Sequence, residues 1–403
     1  MQRTAGGLLS MDEALEVLLD GVQPVAGVEE VPTQEATGRV LAADQRSGVN
    51  VPPLDNTSMD GYAVRAADCT GSARLRVTQR IAAGDIGQPL EPGTAARIFT
   101  GAPIPPGADA VVMQELCSVE GDTVVIGEVP RAGQWIRRVG EDIRAGSVIL
   151  EAGRKLQPQD IGLAASVGLA TLPVYRRLKV AIFFTGNELV MPGEPLPEGA
   201  IYNSNRYTLH GLLQSIGCEI VDLGIVPDTL EATRAAFRKA AAGNDLIITS
   251  GGMSVGEEDH VKPAVEAEGR LDMWKIAMKP GKPLAYGHVG EAAFIGLPGN
   301  PVSTLLTFML FVRPYILKRQ GATAIAPRSY AMRADFDWPQ PDVRREFLRV
   351  RINSAGGLEL FPNQSSAVLT SAVWGDGVVD VAPRQQIAQG YTVRFLPFAE
   401  LLH

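Results

Sequence analysis

What most constrains this chain is a repeated change of hydrophobic period. From residue 179 onwards, short apolar runs of strand type (179–185, 220–226, 245–250) are each followed by an amphipathic stretch with helical spacing (204–216, 230–242, 257–268). Two further runs, 284–286 and 293–297, precede a long helical stretch over 301–320. Alternation of this kind calls for a mainly parallel sheet covered by helices.

The flanking sequence has a different texture. Ser10 and Glu13 have the form of a capping box, and Met11, Ala14, Leu15, Leu18 and Leu19 follow at helical spacing until Gly21. Residues 49–146 consist of short β-type runs (75–81, 96–100, 110–114, 123–126) between Gly/Pro turns. A helix-compatible segment returns at 158–169, with Pro158 suited to a first helical turn, so the β-rich stretch reads as an insertion. After residue 326, alternating, Gly-punctuated sequence suggests a small β barrel or sandwich. The expected organisation is an N-terminal linking domain (1–45 and 147–172), an inserted β domain (46–146), an α/β domain (173–326) and a C-terminal β domain (327–403).

Composition narrows the function. With 37 Lys+Arg against 45 Asp+Glu, the net charge of −8 and the lack of basic runs argue against nucleic acid and anionic lipid as partners. The longest strongly apolar stretch, 305–312, is far too short for a bilayer, and Asp12, Glu13 and Glu16 break any signal-peptide core, so a cytoplasmic location is expected. Cys69, Cys117 and Cys218 are too scattered for a disulfide framework or a zinc site, and the four histidines form no His-Glu-x-x-His motif. Small-molecule chemistry is left.

In an open α/β sheet, ligands gather beyond the carboxyl ends of the strands. The segments there are polar and Gly-rich: Thr185-Gly186-Asn187-Glu188, Pro227-Asp228, the loop from Ser250-Gly251-Gly252 through Ser254 to Asp259, and Pro298-Gly299-Asn300-Pro301-Val302-Ser303. Glycines there let backbone N–H groups approach phosphate oxygens, and Glu188, Asp228 and Asp259 are hard oxygen donors suited to Mg²⁺. Taken singly, Gly-Gly is a tight turn and Asp228 a helix cap; the concentration on one rim favours a site. No Walker A or dinucleotide-binding glycine motif occurs.

Lys275, Lys279 and Lys282 crowd into ten residues of an acidic chain. On one extended strand, Lys275 and Lys279 point to the same face and could hold a dianion; exposed lysines on a strand edge are the plainer reading. Gly252-Met253-Ser254-Val255-Gly256 also has the form of a hydrolase nucleophile elbow, with Asp272 and His288 following in order. The acidic Glu257, Glu258 and Asp259 beside it oppose an oxyanion hole.

Seven motifs together resemble the MoeA family of molybdopterin molybdenumtransferases, which is similar to the gephyrin E domain. They are Ser58-Met59-Asp60-Gly61-Tyr62-Ala63-Val64, Thr100-Gly101-Ala102-Pro103, Gly140-Glu141-Asp142, Thr185-Gly186-Asn187-Glu188-Leu189, the 250–259 loop, Lys279-Pro280-Gly281-Lys282-Pro283 and Pro298-Gly299-Asn300-Pro301-Val302-Ser303. The resemblance implies a three-layer α/β molybdopterin-binding domain, an inserted all-β domain and a C-terminal small β barrel. It implies an enzyme that takes adenylyl-molybdopterin and molybdate, cleaves the AMP linkage with Mg²⁺ and releases molybdenum cofactor. It also implies a homodimer, with the site between the α/β unit of one subunit and the inserted unit of the other, and a molybdopterin adenylyltransferase as partner. The catalytic set is then Asp60, Thr100, Asp142, Glu188, Asp228 and Asp259, with Glu188 and Asp259 holding metal. Substrate would be met by Gly251, Gly252, Ser254, Lys275, Lys279, Ser303, Arg349 and Ser371. A gephyrin-type interaction scaffold is the non-enzymatic alternative.

Overall fold

The computed structural model describes residues 8–252 and 260–402. Its α/β unit is a six-stranded sheet made of β1 (Lys179–Thr185), β2 (Glu219–Val226), β3 (Leu246–Ser250), β4 (Gly269–Lys275), β5 (Pro283–Val289) and β6 (Ala292–Leu297), in the order β2-β1-β3-β6-β5-β4. The first four strands in that order are parallel, and β5 is antiparallel to both β6 and β4. Strands β3 and β6 are buried along their whole length, which is why they read as unbroken apolar runs. Strand β5 is longer than its apolar core of 284–286 suggests, because Gly287 and His288 interrupt the pattern while still pairing with Phe294 and Ala293.

Helices cover both faces. Met11–Leu19, Ser204–Ser215 and the helical run beginning at Pro301 pack on one side. Leu230–Ala241 and Val261–Glu268 pack on the other, where Phe237 meets Phe183 and Phe294 edge-on at 5.0 and 5.1 Å. The expected capping box opens the first helix: Glu13 N donates to Ser10 Oγ (3.2 Å) and Ser10 N to Glu13 Oε2 (2.8 Å). The helical run passes through a π turn at Phe308–Val312 just before Pro314, whose missing N–H cannot continue the α ladder.

The chain enters and leaves the inserted unit through paired segments. Val28–Pro32 pairs antiparallel with Thr171–Tyr175, and Gln45–Arg46 with Val148–Leu150. Between them lies a separate six-stranded sheet with its own apolar clusters. The C-terminal strands Tyr330–Arg333, Arg345–Ile352, Leu358–Leu360, Gly377–Val381 and Thr392–Pro397 curl into a small barrel, closed where Asp335 N donates to Leu358 O at 2.8 Å. A short strand from the α/β side, Met278–Lys279, joins that barrel sheet by pairing with Arg345 and Glu346. This seam fixes where the lysine segment sits.

Candidate functional site

At the carboxyl rim of β1, β3 and β6 an open cleft of about 1080 Å³ separates the α/β unit from the barrel. Its floor is a hydrogen-bonded staple. Ser250 Oγ accepts from Asn205 Nδ2 (2.9 Å) and donates to Pro298 O (2.9 Å), Asn205 Nδ2 also reaches Gly299 O (2.7 Å), and Thr304 Oγ1 donates to Pro298 O (2.6 Å). These bonds bind the two Gly-bearing loops to each other. Gly251 adopts φ +98°, and a Cβ there would fall 2.7 Å from the Thr185 carbonyl oxygen, so glycine is required for this approach. Thr185 Oγ1, Asn203 Nδ2 and Asn205 Oδ1 are buried without a hydrogen-bond partner among the described residues, although all three residues line the cleft. Unsatisfied polar atoms at a cleft floor are costly in an empty protein and suit a polar ligand.

Lys275, Lys279, Lys282 and Ser303 also line the cleft. Lys275 and Lys279 do not share one strand face, which corrects the sequence expectation: Lys275 ends β4, whereas Lys279 belongs to the barrel seam. The turn at Ile276 separates them, held by Ile276 N donating to Lys282 O at 3.0 Å. Nor is Lys279 a free cation. Its Nζ lies 3.0 Å from Glu346 Oε1 and 3.4 Å from Asp342 Oδ2. Glu346 is 2% exposed, and its Oε2 accepts from Trp338 Nε1 (3.0 Å) and Asp342 N (2.8 Å). The Arg344 guanidinium, with Lys279 behind it, holds the Asp342 carboxyl well below the usual range. Among the described residues no carboxylate pairs with Lys275 or Lys282.

Arg349 and Ser371 stand behind the wall instead of lining it. Arg349 is 1% exposed, donates to Ser371 Oγ (3.0 Å), Ser365 O (3.0 Å) and Phe347 O (3.3 Å), and is pushed down to about 10 by burial. Ser371 Oγ donates to Val368 O at 2.6 Å. Together with Gln364, which bonds the Arg349 backbone at both N and O, they hold the loop whose Gln364, Ser365, Ser366 and Ala367 face the cleft. That loop, Asn203 and Asn205 escaped the sequence reading; asparagine at the start of a helix signals a cap and nothing more.

The described lining residues do not include Asp60, Thr100, Asp142 or Asp228. Asp60 and Thr100 form a pair in the inserted unit, Asp60 Oδ1 accepting from Thr100 N (2.8 Å) and Thr100 Oγ1 (2.7 Å), and these two donors hold its carboxyl below the ordinary value. Asp142 is exposed on a nearby loop of that unit, its backbone N bonded to Val51 O at 3.0 Å. Asp228 follows β2 at the edge of the sheet. Ser254 and Asp259 lie outside the described residues, and so does the expected metal pairing of Asp259 with Glu188, which itself lines the cleft. Among the described residues no three His, Cys, Asp or Glu side chains converge. Burial pushes the Cys69 and Cys117 thiols up to about 11 and Cys218 to about 12, which favours the neutral thiol at each.

The Asp272–His288 pair does form, with His288 Nδ1 3.3 Å from Asp272 Oδ2. Ser254, the nucleophile of the elbow reading, lies outside the described residues. His288 is level with Ala293 and Leu246, whereas the loop carrying Ser254 leaves from Ser250, level with Leu297. Four residues of strand, about 13 Å, separate those levels.

The sequence matches the MoeA N-terminal region (domain I and II) over residues 9–168, a probable molybdopterin binding domain over 181–318 and the MoeA C-terminal region (domain IV) over 331–398. It is 41% identical to the molybdopterin molybdenumtransferase of Haemophilus influenzae, with 98% of this chain and 100% of that one aligned. It is 35% identical to the Synechococcus elongatus enzyme of the same name over 91% of this chain and 93% of that one. A molybdopterin biosynthesis MoeA protein of Pyrococcus horikoshii superposes with a TM-score of 0.85 at 29% identity, covering 97% of this chain and 100% of that one. With all three family regions present in order and the full length of a curated relative matched, the chain belongs to the MoeA family of molybdopterin molybdenumtransferases, enzymes of molybdenum-cofactor biosynthesis.

Proposed function

We propose that the cleft takes adenylylated molybdopterin and molybdate and yields molybdenum cofactor and AMP in an Mg²⁺-dependent reaction. The observation that carries this reading is the combination, at one rim, of Lys275 and Lys282 without described carboxylate partners and a glycine-built floor with unsatisfied polar atoms. Both substrates are anionic, and a cationic, partly enclosed pocket lowers the cost of bringing their charges together. Lys275 and Lys282 supply that charge, Ser303 a hydroxyl donor, and the Gly251–Gly252 backbone the close approach. Mg²⁺, when bound, neutralises charge on the phosphates. Glu188 fits as one of its oxygen donors: its carboxylate lies where a Cβ on Gly186 would fall, 2.6 Å from Oε2, so the glycine makes room for it.

The catalytic candidates Asp60, Thr100 and Asp142 are absent from the described wall of this cleft. That division supports a homodimer in which the inserted unit of one subunit completes the cleft of the other. Purified protein incubated with adenylyl-molybdopterin, Mg²⁺ and molybdate tests the reading. AMP should accumulate only when all three are present; AMP release indifferent to molybdate would rule out coupled insertion.

A further inference from the structure

Trp135 is one of two non-glycine residues with positive φ among the described residues, at +55°. A bulky side chain in the left-handed region is a genuine outlier, and glycine or asparagine would sit there at lower free-energy cost. Trp135 is 38% exposed, and no aromatic or cationic partner stacks on its ring among the described residues. The backbone is nevertheless held firmly, since Ser58 N and Ser58 Oγ both donate to Trp135 O, at 3.0 and 3.1 Å.

Its position gives the strain a purpose. Ile136 pairs with Thr57, whose other side is bonded to the turn after Thr100: Thr57 N donates to Ala102 O (3.0 Å) and Gly101 N to Thr57 O (2.9 Å). Trp135 and the Asp60–Thr100 pair therefore flank one short segment of chain. Exposed Leu54 and Val139 lie on neighbouring segments, joined by Val139 N donating to Asp55 Oδ1 at 2.8 Å. A flat, exposed indole beside an ionised carboxylate and a hydroxyl has the chemistry to grip a planar fused nitrogen heterocycle by stacking while polar groups meet its substituents.

We propose that Trp135 is a substrate-binding residue whose indole stacks on a planar heterocycle, purine or pterin, of the nucleotide-bearing substrate. This rests on the functional reading above, in which the substrate carries both rings. The test uses the full-length protein with Trp135→Asn, which suits the left-handed backbone but removes the ring, and Trp135→Tyr, which keeps a ring. The Asn variant should melt no lower than wild type, show KM for adenylyl-molybdopterin raised about tenfold and keep kcat within about twofold, with Tyr recovering most of the loss. Tryptophan fluorescence titrated separately with AMP and with a free pterin identifies the ring: one of the two should quench wild type and fail to quench the Asn variant. Unchanged KM, no quenching difference with either compound, or a KM rise accompanied by loss of the dimer on gel filtration would overturn the proposal. If wild type releases no AMP, the functional reading fails by itself, and the two titrations still decide whether the indole stacks.

Discussion

Lys279 changes meaning once its neighbours are known. Its ammonium compensates Glu346, a carboxylate shut away from water, so Lys279→Ala leaves a buried charge short of its partner. Because Lys279 is itself 42% exposed, the expected loss is about 1–2 kcal/mol, less than for a fully buried pair. Denaturant midpoints should show it, and adding Glu346→Gln should restore most of it. Lys275→Ala and Lys282→Ala should leave the midpoint unchanged and raise the molybdate concentration for half-maximal turnover. A Lys279→Ala variant of normal stability would show that Glu346 does not depend on it. The Asp60 carboxyl is depressed by Thr100 N–H and hydroxyl donation, so any stabilisation from it is present above the unfolded value and lost as pH falls through the folded one. Thr100→Ala removes one donor and raises that value. The acid limb of the pH–activity profile should then move to higher pH, and a limb that stays in place would detach Asp60 from the chemistry.

At the scale of elements, Gly251 and Arg349 show how loops are fixed at the rim. Gly251→Ala forces a Cβ against the Thr185 carbonyl at 2.7 Å, in a backbone region closed to L residues. A loss of about 1–3 kcal/mol with loss of turnover is expected, measurable by melting and by AMP release. Arg349→Met should loosen the 364–368 loop and cost about 2–4 kcal/mol, because Ser365 O and Ser371 lose a buried donor. The strands and helices were legible in sequence because period and burial coincide: β3 and β6 are apolar throughout, and Ser10 with Glu13 announces the first helix. The Thr185, Ser250 and Pro298 loops could be placed on one rim because each follows a parallel strand. Arg349 was not legible, since one arginine in a strand carries no mark of whether its guanidinium faces a cleft or threads into a core. Lys275 and Lys279 misled for a related reason: even spacing implies one face only while the strand continues, and this strand ends between them.

For the molecule as a whole, the proposed reading divides one reaction between two subunits, with Glu188 and the lysines at the α/β cleft and Asp60 with Thr100 on the inserted unit. Mixing Asp60→Ala and Glu188→Gln subunits would then rebuild one complete site in each mixed dimer, returning about a quarter of wild-type turnover at equal proportions. Parental dimers should stay inactive; a mixture no better than its parents would place all these residues in one subunit's site. The most direct measurement is single-turnover AMP release from adenylyl-molybdopterin, with Mg²⁺ and molybdate each present or omitted, by wild type and by the cleft variants Glu188→Gln and Lys275→Ala. The proposed cleft predicts release by wild type only with both ions, little release by Glu188→Gln at limiting Mg²⁺, and release by Lys275→Ala that returns at high molybdate. Equal release by all three proteins under all conditions would contradict it.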